Sequence, residues 1–569
     1  MDSARSASSQ APLIRCVVIF GLLILSPVAW AQSSRSLAER IRQLAAQNQW
    51  QQIVDVAGPE AAPSVDLTFY YGTALARLGR LDEARSAFRR GLSRWPGDER
   101  FPVELAGIAF KQKRYADAAG YLQRALKLAP HDSYAEDFLG TVYFLQGNLD
   151  AALKYWNRVN KPQIALVRAE PVPRLDPGLL DQAFAFAPAS LLRWPGLLTS
   201  EARIQGLGVF PAYRFDLQAR PDGKFDVIFR DHEHTGWRQN RWESLGLMLR
   251  GLPAQTAYLE FFNIGNRAVN FTSRYRWDAQ KRRVAANLTR PVDGARRNLG
   301  LSLDLRDENW DIRDSFTGPA PLLGALTLRR EAVGANLASF IHGRWTWSAG
   351  AELSHRDFRS VVMGTALTPD LLTKGYQVKQ TAEINADLWR IPEKRLTIQG
   401  GASSQLGRIW SDPSHSFEKL QSSLRLHWFP KSTGDDYEMH QEIRAGKTWG
   451  TVPFDELFML GIGGDNDLWM RGHIATRDGR KGSAPLGRNY FVSNWEADKK
   501  IYRYGPLEVT LGPFLDVGKI TDPSPALESQ KWLWDLGPEM KARMLGAEVV
   551  VSYGRDLRSG NGAFYVSLR

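Results

Sequence analysis

From residue 237 to the end of the chain, apolar and polar residues alternate with period two. Leu301-Ser-Leu-Asp-Leu-Arg306, Leu424-Arg-Leu-His-Trp428 and Leu507-Glu-Val-Thr-Leu511 are three such runs. A strand of this kind has one apolar and one polar face. Turn-rich gaps separate the runs: Pro291-Val-Asp-Gly294, Asp412-Pro-Ser414 and Ser432-Thr-Gly-Asp-Asp436. Aromatic residues sit near run ends, as in Trp345-Thr-Trp347 and Trp532-Leu-Trp534. After the N-terminus no apolar run reaches the ~20 residues that a spanning helix needs. A spanning β-barrel has no such requirement, because lipid-facing and lumen-facing residues alternate. At ~20 residues per strand with its connection, residues 237–569 hold about 16 antiparallel strands. The chain has 19 Trp, 17 Tyr and 26 Phe, which fits aromatic girdles. Composition alone fits a large soluble all-β protein equally well.

Residues 1–31 read as an export signal. Arg5 and Arg15 form a positive front, Val17 to Leu25 the apolar heart, and Ala29-Trp30-Ala31 a small-residue cleavage site. The only cysteine, Cys16, lies in this segment, so the mature chain is expected to form no disulfide and to have no cysteine nucleophile or cysteine metal site.

Residues 32–161 show a repeat. Gly72, Ala106 and Gly140 recur at a step of 34; so do Ala84, Ala118 and Ala152, and so do Phe88, Leu122 and Trp156. One step earlier lie Ala38, Trp50 and Val54, which suggests a degenerate first unit. Pro96 and Pro130 close two of the units, each of which reads as two amphipathic helices, for example Leu67–Leu78 and Leu81–Ser93. This array resembles the tetratricopeptide repeat. The resemblance implies a solenoid with a concave binding face for a partner or client, or else a rigid spacer.

Residues 162–236 read as a small α/β module of order β-α-α-β-β. The strand Gln163–Ala169 is followed by helices Leu179–Phe186 and Leu197–Leu207, and then by a hairpin of Val209–Ala219 and Phe225–Arg230 around Asp222-Gly223. With its Gly206-x-Gly208-x-Phe210 entry, this resembles a polypeptide-transport-associated (POTRA) module, which sits in the periplasm just before certain barrels. The second hairpin strand, with Phe225, Val227 and Phe229, is expected to be an edge open to a client strand. His232 and His234 flank Glu233 at the strand end, where they are expected to be solvated rather than to hold a metal.

The final third of the barrel carries the most specific motif. The glycine-rich Gly461-Ile-Gly463-Gly464 leads to Arg471-Gly472-His473, and later come Asn494-Trp-Glu496 and Phe514-Leu-Asp516-Val-Gly518. This stretch resembles the bacterial surface-antigen barrels of the BamA superfamily, which includes TamA and the two-partner secretion transporters. In that family a surface loop with an R-G-[FY] signature tucks into the lumen, and its arginine meets acidic residues on neighbouring strands. The resemblance implies that Arg471 and Gly472 form a lumen lock with Glu496 and Asp516. His473 replaces the usual aromatic, and the chain ends on Arg569 where a terminal aromatic is typical.

No ordered Ser/His/Asp set, metal cluster or phosphate loop appears in the sequence, so no enzyme activity and no cofactor are expected. Net charge is +12, but the arginines are spread over strands and turns, so nucleic acid is not the expected partner. The whole reads as a multidomain chain: helical repeat solenoid, POTRA-like module and C-terminal antiparallel transmembrane barrel. Its expected place is the bacterial outer membrane, in contact with the lipid bilayer, with the repeats in the periplasm. The resemblance implies a translocase or assembly factor that inserts or exports client polypeptides. A polysaccharide or solute export porin and a plugged structural surface antigen are the alternatives.

Overall fold

The computed structural model describes residues 37–58, 64–234 and 250–568, apart from 315–319, 432–435, 505–506, 525–526, 528–531 and 545–546, together with the isolated positions 245 and 248. The export signal lies outside the described residues. The chain divides into two compact units, one ending at Val159 and one starting at Asn160.

The first unit is all helical: α1 (37–46), α2 (Trp50–Ala57), α3 (Val65–Arg77), α4 (Leu81–Arg94), α5 (Arg100–Lys111), α6 (Tyr115–Leu128), α7 (Ser133–Leu145) and α8 (Leu149–Trp156). Side chains at helix starts satisfy free backbone donors: Ser64 accepts from Leu67 N, Asp132 from Tyr134 N and Asn148 from Ala151 N. The 34-residue register has a steric cause. A Cβ on Gly72 would lie 2.5 Å from the Phe88 ring, and one on Gly140 would lie 2.4 Å from the Trp156 ring. The small position is therefore the seat of the large one in the paired helix. Ala84, Ala106, Ala118, Leu122 and Ala152 are fully buried in the same packing.

The second unit begins with a three-stranded sheet: β1 (Ile164–Ala169), β2 (Ala212–Ala219) and β3 (Phe225–His232), in the order β1-β3-β2. Helices α9 (Pro177–Ala183) and α10 (Trp194–Leu207) connect β1 to β2. Asp176 caps α9 through Leu179 N, and Gly208 ends α10 in the left-handed conformation at φ 63°. One expectation is corrected here. The strand of Phe225, Val227 and Phe229 is central, not an edge, because β1 joins it in parallel on the side opposite β2. Val227 and Phe229 are fully buried, Phe229 within an aromatic cluster of Phe184, Phe210 and Phe215. A hairpin read locally shows two strands; the third arrives from about 60 residues upstream, and this makes β3 the middle one.

The rest is a closed barrel. Its wall strands are β4 (Thr256–Ile264), β5 (Val269–Arg276), β6 (Lys281–Val292), β7 (Arg297–Arg313), β8 (Leu322–Ser339), β9 (Trp345–Val362), β10 (Gly375–Ile391), β11 (Leu396–Trp410), β12 (His415–Trp428) and β13 (Tyr437–Gly450). The residues 451–488 contain four two-residue strands, β14 (Phe458–Met459), β15 (Thr476–Arg477), β16 (Arg480–Lys481) and β17 (Leu486–Gly487). The wall resumes with β18 (Asn489–Tyr504), β19 (Leu507–Thr521), β20 (Leu533–Met544), β21 (Ala547–Asp556) and β22 (Gly562–Leu568). Consecutive wall strands pair antiparallel, with β13 pairing directly with β18, and β22 stands next to β4. The alternation sorts the faces: Leu301, Leu305, Leu424, Trp428, Leu511 and Trp534 point outward and are exposed. Their neighbours Asp304, Arg306 and Arg425 carry the ion pairs of the interior.

The α/β unit docks on one rim of the barrel. Asn270 Nδ2 donates to Leu207 O at 2.8 Å, Asp176 N to Asn266 O at 2.7 Å, and Gly343 N to Thr199 Oγ1 at 3.1 Å. Asn298 Nδ2 also donates to Gly206 O. Gly206 faces the Phe340 ring, where a Cβ would lie 2.6 Å away. These contacts come from the β4–β5, β6–β7 and β8–β9 turns and the strand ends beside them. The rim is therefore the end at which the connections are short.

The helical register yields a test. Gly140→Leu drives a side chain into the Trp156 ring and should destabilise the repeat unit by ~1–3 kcal/mol. Trp156→Leu in the same chain should recover part of that loss. Urea denaturation followed by the helical circular-dichroism signal measures both.

Candidate functional site: a charged loop in the barrel lumen

The 451–488 connection leaves β13 at the rim opposite the α/β unit and folds back into the lumen. Apolar packing holds part of it: Phe458, Leu460, Leu468 and Met470 are buried against Tyr490, Val492, Ile520 and Leu533 of the wall. Phe454 and Leu486 join Trp310, Leu326, Leu328 and Phe358 in a second cluster. Gly461 is needed for a close approach, since a Cβ there would lie 2.4 Å from Ala484 Cβ and 2.9 Å from His473 O. Gly463 is nearly as tight, 3.0 Å from Ala475 Cβ, whereas Gly464 has ordinary room. Ile462 closes the fold, donating to His473 O at 2.7 Å and accepting from Ala475 N at 2.9 Å.

The structure brings Arg471, Gly472, Glu496 and Asp516 together. Arg471 is bidentate on Asp516, Nε to Oδ2 at 3.0 Å and Nη2 to Oδ1 at 2.7 Å, and its backbone N donates to the same Oδ2 at 2.9 Å. Nη1 reaches Glu496 Oε1 at 2.8 Å and Glu539 Oε2 at 2.9 Å. The guanidinium lies 3.8 Å above the Phe514 ring centroid and its side chain is fully buried. Three strands, β18, β19 and β20, thus converge on one cation. Burial works against that charge, but Asp516, Glu496 and Glu539 outweigh it and hold the guanidinium more firmly protonated than in water. Gly472 N donates to Asp535 Oδ2 at 2.6 Å, and a Cβ at Gly472 would strike that carboxylate. The glycine is what lets the backbone reach the wall.

His473, where the resembling family has an aromatic, makes a polar contact instead. Its Nδ1 lies 3.1 Å from Asp535 Oδ2 and its Nε2 3.8 Å from Asp556 Oδ2. Burial alone would depress the imidazole, but the hydrogen bond to Asp535 and the Asp535, Asp556 and Asp516 charges outweigh it and raise it.

Two further anchors were not read from the sequence. Asp455 meets Arg356 at 3.0 Å and Arg330 at 3.3 Å, while Glu456 meets Lys379 at 3.1 Å and Lys419 at 3.2 Å. Asp465 is surrounded by Arg276 at 2.6 Å, Arg274 at 2.8 Å, Arg283 at 3.0 Å and Lys481 at 3.1 Å. Burial would raise the Asp465 carboxyl, yet Lys481, Arg276, Arg274 and Arg283 hold it well below the usual carboxylate range. Lys481 also pairs with Glu308 at 2.7 Å, beside the bridge from Lys481 to Trp310 of β7. The loop therefore meets the β18–β20 side with Arg471 and the β5–β12 side chiefly with acids, while Arg480 and Lys481 answer Asp311 and Glu308 of β7. No sequence pattern marks these partners, since β8, β9 and β10 each contribute a single buried basic residue, Arg330, Arg356 and Lys379.

His232 and His234 are not brought together as a metal pair. His232 is exposed, and His234 stacks on Phe262 with ring centroids 3.9 Å apart. Two other groups do bring together potential metal ligands, against the expectation of no metal cluster: His427, Glu438 and His440, and His473, Asp535 and Asp556. Both are completed across strands: Glu438 and His440 stand two residues apart on β13, but His427 joins them only through the β12–β13 pairing.

These features define a class: a closed β-barrel with an arginine-anchored loop in its lumen, an α/β unit on its rim and a helical repeat unit ahead of both. Two tetratricopeptide-repeat family models match the helical unit, one over residues 43–99 and one over residues 75–140. A comparison with curated proteins finds no match. Among solved structures, the chain is similar to BamA from Haemophilus ducreyi lacking POTRA domains 1–3, at 10% identity over 72% of this chain and 85% of that one, TM-score 0.40. It is also similar to CdiB from Escherichia coli, at 12% identity over 72% and 75%, TM-score 0.45. CdiB from Acinetobacter baumannii is similar at 11% identity over 72% and 73%, TM-score 0.41.

Two outcomes are expected. Arg471→Ala strands buried Asp516 and Glu539 without their cation and should cost ~3–5 kcal/mol. Arg471→Lys should restore only part of this, because a point charge cannot serve three carboxylates in a fork. Urea unfolding of the barrel in detergent measures the difference. For His473 the folded value is raised, so its stabilisation is fully present below the unfolded value, about 6.5, and is lost as pH rises through the folded one. Protease cleavage within 451–488 should quicken over that rise, and His473→Gln should abolish the dependence.

Proposed function

We propose that the chain is an outer-membrane translocase or assembly factor that inserts or exports client polypeptides through its barrel. The observation that carries this reading is the Arg471 seat. A loop from the rim opposite the α/β unit is anchored in the lumen by exchangeable ion pairs, so the resting pore is filled by a segment that can be released. In this reading the exposed apolar faces of the wall meet lipid. The rim with the α/β unit faces the periplasm, with the unit as a POTRA-like module and the repeats docking a client or periplasmic partner. Arg471, Gly472, Glu496 and Asp516 act as the lumen lock. The work needs no chemical step, only differential binding of the loop and of the client.

The filled lumen also favours a second reading, a plugged structural surface antigen. Photo-crosslinking in living cells separates the two. Probes go at Tyr134, an aromatic of the repeat unit that is 64% exposed, and at Gln205, which lines the barrel mouth. Trapping of unfolded outer-membrane or secreted polypeptides at both sites is expected. Capture of polymer-synthesis machinery, or of no polypeptide, would overturn the translocase reading. In planar bilayers the wild type should be mostly closed and Arg471→Ala should open more often; equal, steady conductance would remove the lock.

A further inference from the structure

The lumen has a second cluster between the α/β unit and the Arg471 seat: His440 is the cross-strand partner of Glu496, which binds Arg471. His427 on β12 and His440 on β13 are direct cross-strand partners. Both lie on lumen-facing positions: Lys419, on the same face of β12 as His427, binds Glu456 of the loop, and Arg444, on the same face of β13 as His440, binds Asp467 of the loop. Glu438, two residues before His440, shares that face. The two imidazoles are parallel within 9°, with centroids 4.3 Å apart. Their Nε2 atoms converge on one oxygen, Glu438 Oε1, at 2.8 Å from His427 and 2.6 Å from His440.

The cations nearby are engaged with other acids. Arg425 binds Glu442 at 2.7 Å, Arg543 binds Glu548 at 2.8 Å, and Lys541 binds Glu496 and Asp498 at 2.6 and 2.7 Å. His427 lines a cavity of about 240 Å³ beside α10, together with Glu201, Gln205, Asp387, Gln399 and Arg425. Solvent and small ions in that vestibule can reach the ring nitrogens.

We infer that His427, Glu438 and His440 bind one divalent transition-metal cation of the zinc class. Two imidazole nitrogens and one carboxylate oxygen suit such an ion, which takes its ligands at ~2.0–2.2 Å in a tetrahedron. Donors in that geometry stand ~3.3 Å apart, so the present contacts need only small side-chain rotations. Three protein ligands leave a fourth position facing the vestibule, open to water or to a donor side chain of a polypeptide in the lumen. The ion would staple β12 to β13 across their connection. The other cluster, His473 with Asp535 and Asp556, is a poorer host. Its carboxylates are taken by Gly472 N, Ser559 and Arg558 N, and the Arg471 charge is close by.

The test uses the full chain in detergent micelles, stripped by chelation and titrated with Co²⁺ as a spectroscopic probe, then with competing Zn²⁺. One saturable equivalent is expected, with a visible ligand-field band that Zn²⁺ abolishes. His427→Ala/His440→Ala should lose it, Glu438→Gln should weaken it at least about tenfold, and His232→Ala/His234→Ala should retain it. Heat-shift mobility checks folding of each variant. Absence of saturable binding to the folded wild type overturns the inference, as does a full equivalent persisting in the folded double variant. Should the double variant not fold, unchanged affinity in Glu438→Gln overturns it.

Discussion

A guanidinium cannot lose its proton to escape burial, so a buried arginine has to be met by carboxylates wherever the chain puts it. Arg471 is fully buried, and its partners come from three adjacent wall strands. That requirement couples two things that are otherwise independent: the path of a 38-residue connection and the register of β18, β19 and β20. A slip of one residue in any of these strands would turn its carboxylate from the lumen to the outer face. The pairing therefore specifies the wall as much as it holds the loop.

Three more of the loop's anchors have the opposite sign. Asp455, Glu456 and Asp465 sit among arginines and lysines of β5, β6, β8, β9, β10 and β12. The loop thus adds acids among wall cations on one side and a cation among wall acids on the other, beside ion pairs that the wall makes within itself, such as Arg283 with Asp304 and Lys541 with Asp498. This explains why a polar segment with little regular structure of its own stays seated: its apolar clusters supply non-directional burial, and the ion pairs select one position. The α/β unit imposes a separate constraint, closing on the rim through backbone carbonyls of Gly206 and Leu207 that barrel asparagines satisfy.

Local patterns were readable wherever the relevant partner is near in sequence or the periodicity is long. The step of 34 reflects direct contacts such as Gly72 with Phe88 and Gly140 with Trp156, 16 residues apart within a helix pair. Alternation in Leu301 to Arg306 correctly separated the outer face from the lumen. Arg471 was legible through a motif, and Glu496 and Asp516 through their place on the following strands. Glu539 was not, because nothing in its neighbourhood marks it. The β3 strand was misjudged as an edge for the same reason: its second neighbour, β1, lies far upstream.

The sequence by itself determined the helical repeat, the β-α-α-β-β order, the two-faced strands and the presence of one arginine loop. These follow from spacing and side-chain type, which are local properties. Only the tertiary structure decided which strand of the small sheet is central, which arginines and lysines meet Asp455, Glu456 and Asp465 of the loop, and that His427 and His440 share Glu438. Those are juxtapositions made by sheet register and barrel closure. Closure sets β22 beside β4, about 300 positions away in the chain, and the loop brings Asp465 to Arg276, 189 positions apart, and no local pattern encodes a distance of that kind.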